Sequence, residues 1–157
     1  MPGGQQNLQS AEYERIVRRL VTMGQDGGDP TVFYEHVAPD CVLMSDPGRR
    51  FGAHDLAERM KRFHDAVPDV SENVENVHVD GETVVVRTTR TGTFEHEWRQ
   101  TIDGEELVFK PTGMRFTCDL VYTVRFDGDQ IVEVDGYGHN DLWFAMGIVP
   151  DPYTFAR

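Results

Sequence analysis

The sequence predicts an α+β domain in which helices cover one face of a bent, mostly antiparallel sheet. Three observations predict it. The first 66 residues repeat apolar side chains at helical spacing, the chain from Val70 onward is rich in β-branched residues and Asp-Gly turns, and a short helical pattern follows the last strand. At 157 residues, one domain is the natural count. The polar residues 1–9 read as a flexible tail, and residues 10–157 as the single folded domain.

Each element has its own signal. Ser10 is a helix N-cap candidate, followed by Ile16, Leu20 and Met23 at i, i+4 and i+7. The run Gly24-Gln25-Asp26-Gly27-Gly28-Asp29-Pro30 ends this helix, and Pro30 or Thr31 opens a shorter one through Val37. Residues 41–44 read as a short strand closed by the turn Ser45-Asp46-Pro47-Gly48. A third helix over residues 53–66 presents Leu56, Met60 and Phe63 on one face and stops at Pro68. Valines 74, 77 and 79 and valines 84 to 86 flank Asp80-Gly81, a hairpin signal. Asp103-Gly104 marks another turn. Residues 114–126 and 130–137 are strands joined by Asp127-Gly128-Asp129, and residues 141–146 are helical with Gly147 as C′.

Composition excludes several function classes. Fifteen basic against 27 acidic residues give a net charge of −12, which repels nucleic-acid phosphates and anionic lipid. Two cysteines, Cys41 and Cys118, make no disulfide framework and fit a reducing cytoplasm. No stretch has the length of a membrane span, and the first residues lack the pattern of a signal peptide. The expectation is a cytoplasmic domain that binds neither nucleic acid nor membrane. No Gly-x-Ser-x-Gly, zinc-type histidine spacing or phosphate loop is present.

Four stretches, in order, carry a resemblance. They are Ala38-Pro39-Asp40-Cys41-Val42 leading to Asp46-Pro47-Gly48 and Gly52; Phe63 with Val67-Pro68-Asp69-Val70; Asp80-Gly81-Glu82-Thr83-Val84-Val85-Val86-Arg87 leading to Thr91-Gly92-Thr93; and Pro111-Thr112-Gly113 followed by Asp127-Gly128, Ile131-Val132-Glu133, Asp141 and Gly147. Together they resemble the SnoaL-like polyketide cyclases of the nuclear transport factor 2-like superfamily, over roughly residues 12–148. The resemblance implies a cone-shaped barrel with a deep apolar pocket. It also implies dimers through the outer sheet face and an intramolecular aldol ring closure that uses one aspartate as acid/base, with no metal or organic cofactor. Relatives on this fold isomerise ketosteroids, dehydrate polyketides, open epoxides or merely bind. Two departures stand out. Phe94 occupies the place of a family histidine, and the loop over residues 94–110 is lengthened by a charged segment around Glu95-His96-Glu97-Trp98-Arg99. Two residues inserted before Asp141 predict a bulge at Gly136 and Gly138.

The candidate chemistry is enolisation beside a carbonyl, which needs a base for a carbon-bound proton and a donor for the enolate. Asp135 is the base candidate. His139 and Tyr122 are the donor candidates, and Asp135, Tyr137 and His139 would share one strand face. Asp141 is the competing carboxylate, with N-capping as its alternative role. Asp119 and Tyr122 differ by an odd number of positions, so only one of them faces inward. Asp46, Phe63 and Trp98, with Tyr122 and Tyr137, complete the expected substrate contacts. Metal sites and cofactors are not expected. The leading reading is a cofactor-independent acid/base enzyme, polyketide cyclase-like or an isomerase or dehydratase, acting on a small apolar or aromatic carbonyl compound and working as a homodimer. A non-catalytic binding module and an epoxide hydrolase are the alternatives.

Overall fold

The computed structural model describes residues 2–102 and 104–148, with the backbone alone for residues 2–7, 102, 139 and 140. Helix α1 (Pro2–Arg19) runs into a π-helical segment (Leu20–Asp26), and α2 (Thr31–His36) follows. Ser10 therefore lies within α1 and does not cap it. Strands β1 (Val37–Leu43) and β2 (Asp46–Arg50) precede α3 (Ala53–Ala66). The backbone N–H of Gly52 donates to Asp55 Oδ2 at 3.1 Å, which fixes the start of α3. Then come β3 (Ser71–Asp80), β4 (Thr83–Thr93), β5 (Trp98–Ile102), β6 (Glu105–Phe109), β7 (Arg115–Asp127), β8 (Gln130–Tyr137) and α4 (His139–Ala145).

Six strands form one sheet in the order β2-β1-β8-β7-β4-β3. All pairs are antiparallel except β1 with β8, which run parallel and meet at Val37↔Ile131 and Leu43↔Val134. The lengthened segment is not a plain loop. It folds into a separate hairpin of β5 and β6, with Trp98 opposite Phe109. The bulge also falls elsewhere than expected. Arg125 pairs with Glu133 but Phe126 pairs with Ile131, so Val132 is the extra residue. Gly138 serves a different purpose: at φ 95° it turns the chain from β8 into α4, at a place where a Cβ would come 2.7 Å from Asp119 O. It is the N-cap of α4, so Asp141 lies in the first turn and does not cap.

The bent sheet wraps two apolar clusters. One lies under α1 and α2, where Tyr13 stacks on Phe126 with ring centroids 4.0 Å apart. The other lies between α3, α4 and the β5–β6 hairpin, and is built on Phe63, Phe94, Trp98, Phe116, Leu142 and Met146. Phe94 is wholly buried there as apolar packing. Tyr122 packs against both clusters, so the boundary between them is where a polar group stands.

Candidate functional site

Along β7 the inward face carries Phe116, Cys118, Leu120, Tyr122, Val124 and Phe126, while Asp119 is exposed and accepts a bond from Thr89 Oγ1. Alternation thus makes Tyr122 the inward member of that pair. On β4 the inward parity runs Val84, Val86, Thr88, Arg90, ending in a cation. Arg90 is only 5% exposed and ion-pairs through Nε with Glu72 of β3, which is 1% exposed. Thr88 Oγ1 donates to Glu72 Oε2 at 3.1 Å, and Arg90 Nη2 donates to the Tyr122 hydroxyl at 2.9 Å. The Arg90 guanidinium also lies 4.5 Å from the Phe63 ring centroid. Burial alone would lower the pKa of Arg90, but Tyr122 and Glu72 outweigh it and raise it, so the group stays charged. Burial pushes the Tyr122 phenol well above its ordinary value, so it stays protonated, although Arg90 opposes the shift.

Arg90, Tyr122 and Phe63 of this network border a cleft of about 230 Å³. Leu43, Leu56, Met60, Phe63, Val134 and Leu142 supply apolar lining, and Gln25 from the π-helical segment, Arg59 of α3 and Trp98 supply polar groups. Asp135 and Gly136 border the cleft from β8, where Asp135 pairs with Thr123 and so falls on the sheet face shared with Tyr137. Asp135 is 7% exposed. The ladder between β1 and β8 stops at Leu43↔Val134, so β8 has a free edge at the next residues. There Asp135 Oδ1 accepts the Gly136 N–H at 3.1 Å and the Ser45 hydroxyl at 3.2 Å. Its other oxygen, Oδ2, takes no hydrogen bond from the described residues, and neither does Arg90 Nη1 give one.

The expected residues divide into three groups. Asp135, Tyr122, Trp98 and Phe63 all line the cleft, with Phe63 and Trp98 meeting edge to face at 5.1 Å. Asp46 is exposed on β2 and lines a wider vestibule outside it. Tyr137 pairs with Val121 on the outer sheet face and is 53% exposed, away from the cleft. β8 ends at Tyr137, so His139 begins α4 and does not continue a strand face; its side chain lies outside the described residues. The sequence reading did not single out Arg59, Arg90, Glu72 or Gln100. For Arg90 a signal existed, since it shares parity with Val84 and Val86. For Arg59 the signal was its place beside Met60 and four residues before Phe63.

Among the described residues no three His, Cys, Asp or Glu side chains cluster as a metal site, and no helix is long and apolar enough to cross a membrane. A bent sheet closed by helices around a cleft defines the nuclear transport factor 2-like class. Solved structures agree on that fold. TsrD from Streptomyces laurentii matches with a TM-score of 0.71 at 18% identity, covering 88% of this chain and 97% of that one. AclR from Streptomyces galilaeus, provisionally described as a hydroxylase, matches at 0.69 and 24% identity over 94% and 93%. IdmH from Streptomyces antibioticus, provisionally described as a polyketide cyclase, matches at 0.65 and 21% over 87% and 98%. No curated protein matches the chain at a significant level. Residues 14–139 match the SnoaL-like polyketide cyclase family, and the chain belongs to that family.

Proposed function

We propose that this chain is a cofactor-independent acid/base enzyme that closes a ring in, or isomerises, a small carbonyl compound with an aromatic or apolar body. The observation that carries this reading is that Asp135, with one carboxylate oxygen unengaged among the described residues, and the buried Arg90 both border one largely apolar cleft. Asp135 Oδ2 takes a proton from the carbon beside a carbonyl, and the C–H electron pair moves into an enolate. Arg90 Nη1 stabilises the enolate oxygen, held for that task by Glu72, Tyr122 and Gln25. The enolate carbon then forms a bond to a second carbonyl of the same molecule, and the resulting alkoxide recovers the proton from Asp135. Nothing is oxidised or reduced, and no atom is lost. A cytoplasmic homodimer is part of this reading, and the exposed Tyr137 and Met44 support a partner on the outer sheet face. Sedimentation reads that state.

The test of the chemistry is exchange of the α-protons of β-tetralone, a two-ring ketone, with D2O, followed by NMR. The protein should accelerate exchange. Asp135→Asn should lower that acceleration by about 10²–10⁴-fold with the melting temperature nearly unchanged, because the amide oxygen still accepts from Gly136 and Ser45. Undiminished exchange removes Asp135 from the mechanism.

A further inference from the structure

Outside the inner cleft lies a vestibule of about 870 Å³, and Phe51, Arg59 and Trp98 border both spaces. Its charge runs against that of the molecule. In a chain of net charge −12, five arginines (49, 50, 59, 62 and 99) face three carboxylates (Asp46, Asp55, Glu58) there. Several of these arginines are engaged: Arg99 pairs with Glu97 and Glu106, Arg62 donates to Thr101 Oγ1, and Arg50 donates to Pro39 O. Arg59 is different. Its one contact of note is with the Phe51 ring, 5.5 Å from the guanidinium carbon, and no carboxylate or hydrogen-bond acceptor among the described residues meets it. The side chain stands in the open volume of the cleft, reached by solvent, yet enclosed enough that burial pushes its pKa down.

Two further donors wait at the same place. Trp98 Nε1 and Gln100 Nε2 are buried without a hydrogen-bond partner, and both residues line the vestibule. Trp98 is 2% exposed and Gln100 is 7% exposed. A buried N–H left unpaired costs free energy, and two on one short strand that lines the same vestibule as Arg59 point to a common acceptor. All three groups donate, so they fit a ligand group that only accepts. Arg59 meets no carboxylate among the described residues and, unlike the other four arginines of the vestibule, also borders the inner cleft, and a guanidinium holds a carboxylate by two parallel N–H bonds.

We propose that the ligand of this cleft carries a carboxylate, held by Arg59, Trp98 and Gln100 where the vestibule meets the inner cleft. This rests on the cleft being the substrate site and adds the class of substrate: an aromatic or apolar keto acid bound by its acid end at the rim. Its body then fills the apolar interior, and its carbonyl reaches toward Asp135 and Arg90.

Binding of inert probes tests this without turnover. Titration of 2-naphthoate and of its methyl ester, followed by calorimetry and by the indole N–H resonances, compares the acid with a neutral isostere. The acid should bind at least about tenfold more tightly, as a charge-assisted pair predicts, and should move the Trp98 indole proton downfield while the ester does not. Trp98→Phe assigns that resonance and should weaken the acid alone. Arg59→Gln should bring the acid down to the affinity of the ester and leave the ester unchanged. Equal or tighter binding of the ester, acid binding that survives Arg59→Gln, or no saturable binding of the acid would each overturn the proposal. Loss of the carboxylate preference leaves the β-tetralone result standing, and failure of that exchange leaves the probe affinities standing.

Discussion

The two apolar clusters inside this barrel contain aromatic rings in comparable number but treat their polar atoms differently. At the closed end Tyr13 stacks on Phe126, and its hydroxyl donates to Gly128 O and accepts from Gln9 Nε2, each at 2.8 Å. At the open end Phe63, Trp98, Phe109 and Trp143 form a chain of ring contacts, but the Trp98 and Gln100 donors are left unmet and a 230 Å³ cleft separates the walls. A fully satisfied core stabilises the fold and offers nothing to a ligand. An incompletely satisfied one gives up stability and keeps donors ready, which is the arrangement expected of a binding site.

Three changes sharpen that contrast. The largest loss of stability should come from the closed end. Phe126→Ala removes a fully buried ring and should cost about 3–5 kcal/mol in urea unfolding; a loss below about 1 kcal/mol would mean the two ends share the load differently. Next comes the wall between the clusters. Glu72→Gln leaves the Arg90 cation buried without its counter-charge and should cost roughly 3 kcal/mol, while a neutral outcome would break the ion pair's assignment as a structural support.

The smallest effect belongs to the rim. Burial pushes the Asp69 carboxyl up, but the Thr93 N–H and hydroxyl, at 2.7 and 2.8 Å, outweigh it and hold its pKa below the ordinary carboxylate value. A depressed carboxyl pKa stabilises the fold above the unfolded value, and that contribution is lost as pH falls through the folded value. Asp69→Ala should therefore cost about 1 kcal/mol at pH 7, with the gap to the parent narrowing as pH drops below about 4. A gap that widens in acid would contradict the sign.

Most of the fold was legible because its elements carry long, regular patterns. The third helix falls on residues 53–66 as its apolar spacing predicts, and the Asp80-Gly81 and Asp127-Gly128 turns join paired strands. The parallel strand β1 was not fully legible, since Pro39 and Asp40 interrupt its pattern and its pairing partner lies some 90 residues away. Nor did the charged run after Phe94 reveal a hairpin, because β6 has four exposed residues and no alternation to read.

The site was half legible for a related reason. Parity said that only one of Asp119 and Tyr122 faces inward and left the choice to the structure, and Asp135 was a candidate from its place before Gly136 late in the chain. Arg59, Arg90 and Glu72 carry the charges typical of surface residues, and only the folded chain reveals that Arg59 and Arg90 border a cavity with Glu72 buried behind Arg90. The bulge position could not be inferred from glycines, because the extra residue is Val132.

The β5–β6 hairpin is hydrogen-bonded within itself as its own two-stranded sheet and joins none of the six barrel strands. It brings Trp98 and Gln100 to the mouth, while Asp135, Arg90 and Glu72 sit on the barrel ladder. On the proposed reading, recognition and chemistry are carried by separate cassettes of the chain. Exchanging the hairpin for one of another length or polarity would then change which molecules are admitted while leaving the proposed proton-transfer groups in place, so a lineage built on this barrel could diversify its ligands by editing one excursion between β4 and β7.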